Sequence, residues 1–515
     1  MAFEVPEWLN IADFFLGDRL AEGLGGREAI RTYSGSRTYA EVAALAARYG
    51  RVLTGLGVRR EERVLLALPD MPDFPAALFG VLAIGAVGVM VNPEQRPEDL
   101  AAVMDYTRAT LVVVGTEYLD AFDAAVALSE NRPALLVVGG EAARHPVFEK
   151  ESAGVSGEWA TVPTHRDDPA IWLFSGGTTG RPKAVVQTHR SYANTTVCYA
   201  HDAVGYRPDD VTISVPKLYF GYATGSNLVF PFSVGATSVL FSERPTPEVL
   251  FDKIARHRPT ILVNVPSMVN AMVAHPGAAG ADLSSLRFAT SAGEALPESL
   301  YRRWVDRFGV ELLDGLGTAE MWHIFVTNLP GEVRPGTLGR VVPGFEVRVC
   351  DPDGTPLADG EVGRLWVKGD SRAACYWQNM EKSAEAFRGE WYASGDLVSR
   401  DADGYITHRG RADDAIKVKG KWLRPQEVED CLLAHPAVAA CAVVGAEDEA
   451  GLLKPYAFVV TMEDRPGIED ELQRWALDRL AAYKHPRRVV VLDSLPQTHL
   501  GKVDRGRLRR LVSPD

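Results

Sequence analysis

Between residues 63 and 314 the chain repeats one pattern. A short apolar run meets a turn rich in Gly, Ser, Thr or Pro, and a segment of helical apolar spacing alternates with it. Residues 63–68, 87–91, 109–114, 170–174, 212–215, 260–265, 286–290 and 310–314 read as buried strands. Residues 71–84, 97–107, 190–199, 247–256 and 300–308 read as helices. Thr38 followed by Glu41 is a capping-box signal that opens an earlier helix running to Leu56. Strands that are apolar throughout, separated by helices, constrain the fold to mostly parallel sheets with helices on their faces. In such sheets the loops beyond the carboxyl ends of the strands gather at one edge, and ligands bind there.

The texture changes after residue 336. Short strands at 346–350 and 362–368 flank the turn Asp351-Pro352-Asp353-Gly354, and Asp401-Ala402-Asp403-Gly404 marks another hairpin. This stretch reads as an antiparallel, barrel-like subdomain. From Asp413 a separate alternation begins, with strands at 416–419, 438–444 and 455–460 and helices at 425–434 and 468–480. The expected organisation is an α/β chain: a large N-terminal domain over residues 1–411, its barrel-like part at about 336–411, and a small C-terminal α+β domain over 412–515.

One loop has the composition of a phosphate-holding nest. Ser175-Gly176-Gly177-Thr178-Thr179-Gly180-Arg181-Pro182-Lys183 follows a predicted buried strand. Its glycines allow converging backbone N–H groups, its hydroxyls add donors, and Arg181 and Lys183 add positive charge, as a phosphate chain requires. A plain turn has the same composition. The spacing is neither that of the G-x-x-x-x-G-K-[ST] loop nor that of a dinucleotide fingerprint.

The formal net charge of −13 provides no excess of Lys or Arg to neutralise a nucleic acid, which excludes that partner as the main one. Five cysteines occur without metal-ligand spacing, which reads as free thiols in a reducing compartment. The apolar stretch 74–91 is broken by Pro75, Gly80, Gly85 and Gly88, so it reads as core rather than a membrane span. No signal peptide is evident in the first residues, and the expected location is cytoplasmic.

Five further motifs, taken in order with this loop, identify a resemblance. Gly315-Leu316-Gly317-Thr318-Ala319-Glu320 stands where G-x-T-E is usual. Tyr392-Ala393-Ser394-Gly395-Asp396 matches Y-x-[TS]-G-D. Gly410-Arg411-Ala412-Asp413-Asp414 with Ile416 and Lys417 matches G-R-x-D-D-x-I-K. Lys419-Gly420 continues into a glycine loop, and Gly501-Lys502 matches a C-terminal lysine motif. Over essentially its whole length the chain resembles the adenylate-forming enzymes, the superfamily of acyl- and aryl-CoA ligases. Residues 216–225, 291–297 and 320–328 are most similar to the benzoate-CoA ligase branch.

The resemblance implies an AMP-forming acid–thiol ligase that uses ATP, Mg2+ and coenzyme A. It implies that Ser175, Gly176, Gly177, Thr178, Thr179, Gly180 and Lys183 hold the phosphates. Lys502 is implied as the catalytic lysine, and Glu320 as the Mg2+ ligand with Thr318 beside it. Asp314 and Gly315 are implied at the adenine, Asp396 at the ribose with Arg411 beside it at the ribose or phosphate, and Lys419 and Gly420 at CoA. Asp413 is the implied hinge of a mobile C-terminal domain. Two positions depart from the family: Ala319 replaces a usual Thr, and Leu500 another.

The acyl pocket implied by resemblance consists of Tyr222, Ala223, Ala292, Gly317, His323 and Ile324. An apolar slot of this kind recognises a ring by shape. Gly221 and Ala223 are small and leave room, and Lys217 is open to either an acid substituent or the surface. The expected substrate is a benzoate-like carboxylate. A bulkier acid, a carrier protein in place of CoA, and a nucleotide-binding protein with impaired turnover are the alternatives. A homodimer is compatible with the sequence, which does not fix the oligomeric state.

Overall fold

A computed structural model describes residues 3–176, 183–418, 421–447, 453–462, 465–496 and 503–512, with Lys417 and Trp422 described by their backbone alone. Of the expected site residues, Gly177, Thr178, Thr179, Gly180, Lys419, Gly420 and Lys502 lie outside the described residues, as does Leu500.

Two large sheets form the body. The first has seven strands in the order Cys375–Tyr376, Lys183–Thr188, Pro169–Ser175, Val87–Met90, Arg63–Ala67, Leu111–Gly115, Ala134–Val138. Its last five are parallel neighbours, as the alternation predicts. The second has nine strands, with Leu312–Gly317, Phe288–Ser291, Ile261–Asn264, Val211–Ser214, Thr237–Val239 and Glu28–Arg31 running parallel through its centre.

Helices Tyr39–Gly55 and Asp73–Ala83 pack together within one continuous apolar core. The first begins with the capping box that Thr38 and Glu41 predict. The second is apolar on every side, and from Phe74 to Ala83 every residue is buried, the signature of an internal helix. The two approach closely because Gly80 has no side chain: a Cβ there would lie 2.7 Å from the Ala46 carbonyl oxygen. The apolar stretch 74–91 is therefore core, and no helix among the described residues is long and apolar enough to cross a membrane.

A third sheet is antiparallel throughout. Its long strand Trp391–Arg400 pairs with Val362–Lys368, Phe387–Arg388 and Ile406–Arg411, and Glu346–Cys350 adds the outer edge. Beyond it come a two-stranded ribbon, Ile416–Val418 with Lys421–Leu423, and a three-stranded sheet of Val438–Glu447, Leu453–Thr461 and Arg488–Val491. Helices Pro425–Leu433 and Ile468–Arg479 cover that last sheet and share a small core with it. All five cysteines are free thiols.

Candidate active site

The strands flanking the 175–183 loop are antiparallel neighbours, with Ser175 opposite Lys183. The sequence reading had no strand at Lys183–Thr188. With a strand leaving Lys183, no helix begins there.

Glu320 stands opposite this hairpin. It lies in a short 3-10 turn, Ala319–Met321, directly after strand Leu312–Gly317. The Ser175 hydroxyl donates to Glu320 Oε1 at 2.8 Å, and the Tyr376 hydroxyl donates to the same oxygen at 2.8 Å. Lys183 Nζ lies 4.4 Å from the centre of the Tyr376 ring. Burial and the neighbouring Glu320 charge raise the Tyr376 phenol, so it stays a donor. The turn is pinned by Thr318, whose hydroxyl accepts from Met321 N at 3.3 Å, and by Gln187 Nε2, which donates to the Ala319 carbonyl at 2.7 Å. Thr318 thus caps the turn that presents Glu320. One Glu320 oxygen is anchored twice, which fits a carboxylate that offers its other oxygen to a hydrated Mg2+ on substrate phosphates. Among the described residues no group of three or more His, Cys, Asp or Glu side chains forms a protein-only metal cage.

Asp314 and Gly315 lie on the same strand as that turn. The Asp314 carbonyl accepts from Asn328 N at 3.0 Å, while its buried side-chain Oδ1 has no hydrogen-bond partner among the described residues. Burial raises this carboxyl well above its usual range. A buried polar atom left open at a strand end suits a nucleobase edge.

Asp396 comes from the antiparallel sheet. Its Oδ2 accepts from Ser394 Oγ at 3.1 Å, and Oδ1 from Arg411 Nη1 at 3.3 Å, with His408 Nε2 at 3.4 Å. Asp396 and Arg411 are cross-strand partners, so register alone sets this pair side by side. Asp413, itself exposed, follows in the turn Ala412–Asp414, between the antiparallel sheet and the small ribbon. Its neighbour Asp414 pairs with Arg505 at 3.5 Å. Across the chain, Asn270 Nδ2 donates to the Ala439 carbonyl at 3.0 Å, tying the large body to the first strand of the C-terminal sheet.

Of the expected pocket residues, Tyr222, Gly317 and Ile324 lie beside His323. Its Nε2 lies 3.1 Å from the Tyr222 carbonyl and 3.2 Å from Ser226 Oγ. A carbonyl only accepts, so Nε2 carries the proton. Burial lowers the imidazole pKa to about 3, which keeps the ring neutral. Tyr222 is fixed by its hydroxyl, 2.6 Å from Thr290 Oγ1. Ala223, Ala292 and Ile324 are buried, and Gly317 pairs with Ile324 across the Leu312–Gly317 and Ile324–Thr327 hairpin.

Two residues correct the sequence reading. Gly221 leaves no free room, because Leu173 Cδ1 lies 2.8 Å from where its Cβ would be. Lys217 is turned inward rather than to open solvent: its Nζ donates to the Phe241 carbonyl at 2.6 Å and sits 3.9 Å from the centre of that ring. Gly225 was missed. It begins a π-helical turn, Gly225–Val229, and a Cβ there would lie 2.4 Å from His323 Cδ2. The bare backbone at 225 makes space for the imidazole, and π turns of this kind are frequent at functional sites. Tyr376 was missed as well; nothing local in the sequence ties it to Glu320.

Comparison with known proteins agrees with this geometry. Residues 18–377 match the AMP-binding enzyme family, and residues 427–502 match the AMP-binding enzyme C-terminal domain. The chain belongs to the AMP-binding enzyme family. A benzoate–CoA ligase of Thauera aromatica is 40% identical over 516 residues, covering 99% of this chain and 97% of that protein. A 4-hydroxybenzoate–CoA/benzoate–CoA ligase of Rhodopseudomonas palustris is 38% identical over 508 residues, with 98% and 94% covered. Among solved structures, an anthranilate CoA ligase in complex with anthranoyl-AMP superimposes with a TM-score of 0.93 at 34% identity, covering 98% of each chain. A benzoate CoA ligase from Burkholderia xenovorans LB400 gives 0.89 at 38% identity, covering 97% of this chain and 100% of that one. The fold is that of these family members: a large N-terminal domain of sheets and helices and a small C-terminal domain.

Proposed function

We propose that this member of the family is an ATP-dependent aryl-CoA ligase acting on a benzoate-like carboxylate. One observation carries the reading. Glu320, set against Ser175 and Tyr376, and His323, set among Tyr222, Ser226 and Gly225, lie on the same short segment. A carboxylate whose ring occupies the second setting has its reacting group beside the first. The similarity to benzoate, hydroxybenzoate and anthranilate CoA ligases supports the aromatic class.

In the first half-reaction a carboxylate oxygen attacks the α-phosphorus of ATP and pyrophosphate leaves. In the second, the CoA sulfur attacks the acyl carbon, a C–S bond forms, the C–O bond to AMP breaks, and the thiol proton is lost. The enzyme contributes alignment and charge stabilisation to the first step. In this reading the 175–183 loop and Lys183 hold the leaving phosphates, Asp314 and Gly315 border adenine, and the Asp396 carboxylate receives the ribose hydroxyls with Arg411 beside it. Glu320 holds Mg2+, which when bound neutralises phosphate charge. Lys502 brings positive charge to the reacting carboxylate. Asp413 is the hinge about which the C-terminal domain turns between the half-reactions, bringing Lys419 and Gly420 to CoA.

The test is product analysis with ATP, Mg2+, CoA and a panel of benzoate, hydroxybenzoates, aminobenzoates and cinnamates. Aryl-CoA, AMP and pyrophosphate are expected in equal amounts. Adenylate without thioester would favour a carrier-protein acceptor, and no turnover with any aromatic acid would overturn the reading. Lys502→Ala is expected to abolish adenylation while sparing thioester formation from supplied adenylate; equal loss of both would contradict the hinge account.

A further inference from the structure

Trp322 stands between Glu320 and His323 and has no part in the mechanism above. Its backbone is at φ 61°, ψ −50°, a region that side chains rarely enter. These are the angles of the strained γ-turn, and the bond that closes such a turn is present: His323 N donates to the Met321 carbonyl at 2.8 Å. Glycine adopts this turn without strain, yet the chain places an indole there.

The indole is 2% exposed. Its ring centre lies 3.8 Å from that of Tyr192 and 5.5 Å from that of Phe230. Phe230 meets His323 edge-on with centres 4.7 Å apart, and Trp322 itself is 5.7 Å from His323. Neither the indole Nε1 nor the Tyr192 hydroxyl has a hydrogen-bond partner among the described residues. Ring packing, not polar contact, therefore holds the indole in this nest. The turn also divides its neighbours: Glu320 goes to Ser175 and Tyr376, and His323 to Tyr222 and Ser226.

We propose that Trp322 is a specificity-determining residue that acts through His323. Packed beside the imidazole together with Phe230, it fixes how far His323 projects and so where the ring of the acid must stop. The backbone strain persists because the indole supplies this backing while the turn keeps Glu320 and His323 apart. The inference rests on the reading that this pocket takes an aromatic carboxylate.

The experiment compares Trp322→Phe, Trp322→Leu and Trp322→Gly with the unaltered full chain, by pyrophosphate exchange into ATP with benzoate and para-alkylbenzoates of increasing length. A change of about one methylene in an apolar pocket alters discrimination by roughly 10–200-fold. The ratio of kcat/KM for the longer acid over benzoate should rise about tenfold or more in Trp322→Leu, with Trp322→Phe between it and the parent and the KM for ATP unchanged. Trp322→Gly releases the turn and carries the same comparison if the leucine variant does not fold. A purely structural role would lower kcat for all acids alike. An unchanged ratio in every folded variant overturns the proposal. If the parent activates no aromatic acid, the functional reading itself fails; if it does and the ratios stay fixed, this inference alone falls.

Discussion

Glu320 and His323 lie on one short segment and are held in opposite ways. Glu320 is held by polar bonds from distant strands: Ser175 from one hairpin arm and Tyr376 from the strand beside the other. His323 is held by shape: an aromatic nest around it, a bare glycine at its edge, and one backbone carbonyl to fix its tautomer. The first setting suits charge that must be placed against phosphate. The second suits a ring that must be recognised by its outline. Removing a charge should damage chemistry, and adding a methyl group should damage fit.

The largest effect is expected from Glu320→Gln, which keeps a hydrogen-bonding oxygen and removes the charge. Exchange of pyrophosphate into ATP should fall roughly 10²–10³-fold, the usual cost of losing a group that stabilises charge in the transition state. The KM for the aromatic acid should hardly move. A raised acid KM with intact kcat would erase the contrast between the two ends.

Gly225→Ala tests the other end. Its Cβ would lie 2.4 Å from His323 Cδ2, so the imidazole must shift. The acid KM should rise about tenfold with the ATP KM unchanged, and overpacking should destabilise the fold by about 1–3 kcal/mol in denaturant titration. Equal changes in both KM values would mean that the pocket and the nucleotide site are not separable.

Tyr376→Phe is a milder form of the first change. It removes one of two donors to Glu320 Oε1, a loss of about 1.5–3 kcal/mol for a hydrogen bond to a charged group. Exchange should slow by one order of magnitude or so, less than in Glu320→Gln. A loss equal to that of Glu320→Gln would show that the phenol does more than hold the carboxylate.

The smallest effect on activity concerns pH. His323 has its pKa lowered by burial to about 3, from a value of 6.5 in the unfolded chain. Below pH 6.5 the unfolded chain binds a proton that the folded one does not, so stability is lost as pH falls from there toward 3. Above pH 6.5 the imidazole is neutral in both states and contributes no slope. His323→Gln should flatten part of the acid side of the stability curve, and the acid KM should show no titration near pH 6.5.

The same contrast explains what was legible in the sequence. The parallel strands and the helices were readable because their apolar period is local, and helices such as Tyr39–Gly55 and Pro97–Thr107 fall where the pattern places them. The candidates Glu320, Asp314 and Asp396 stood out through motifs. The phenol that helps hold Glu320 did not. Tyr376 reaches Glu320 across 56 positions, and Gly225 makes room for a ring almost a hundred positions away. The strand Lys183–Thr188 was missed because it leaves a glycine-rich loop that masks its start. The positive φ at Trp322 has no sequence signal at all, since glycine is the residue that normally marks such a turn.

In the proposed function the polar end and the shaped end bind two halves of one molecule. Calorimetry with a non-reactive benzoyl-adenylate mimic, in which a sulfamoyl group replaces the phosphate, tests it directly. One site per chain is expected, with binding at least about 100-fold tighter than AMP or benzoate alone, as for a mimic of a bound intermediate, and with separate losses in Asp396→Ala and Gly225→Ala. Binding no tighter than that of AMP, and indifferent to Gly225→Ala, would contradict it.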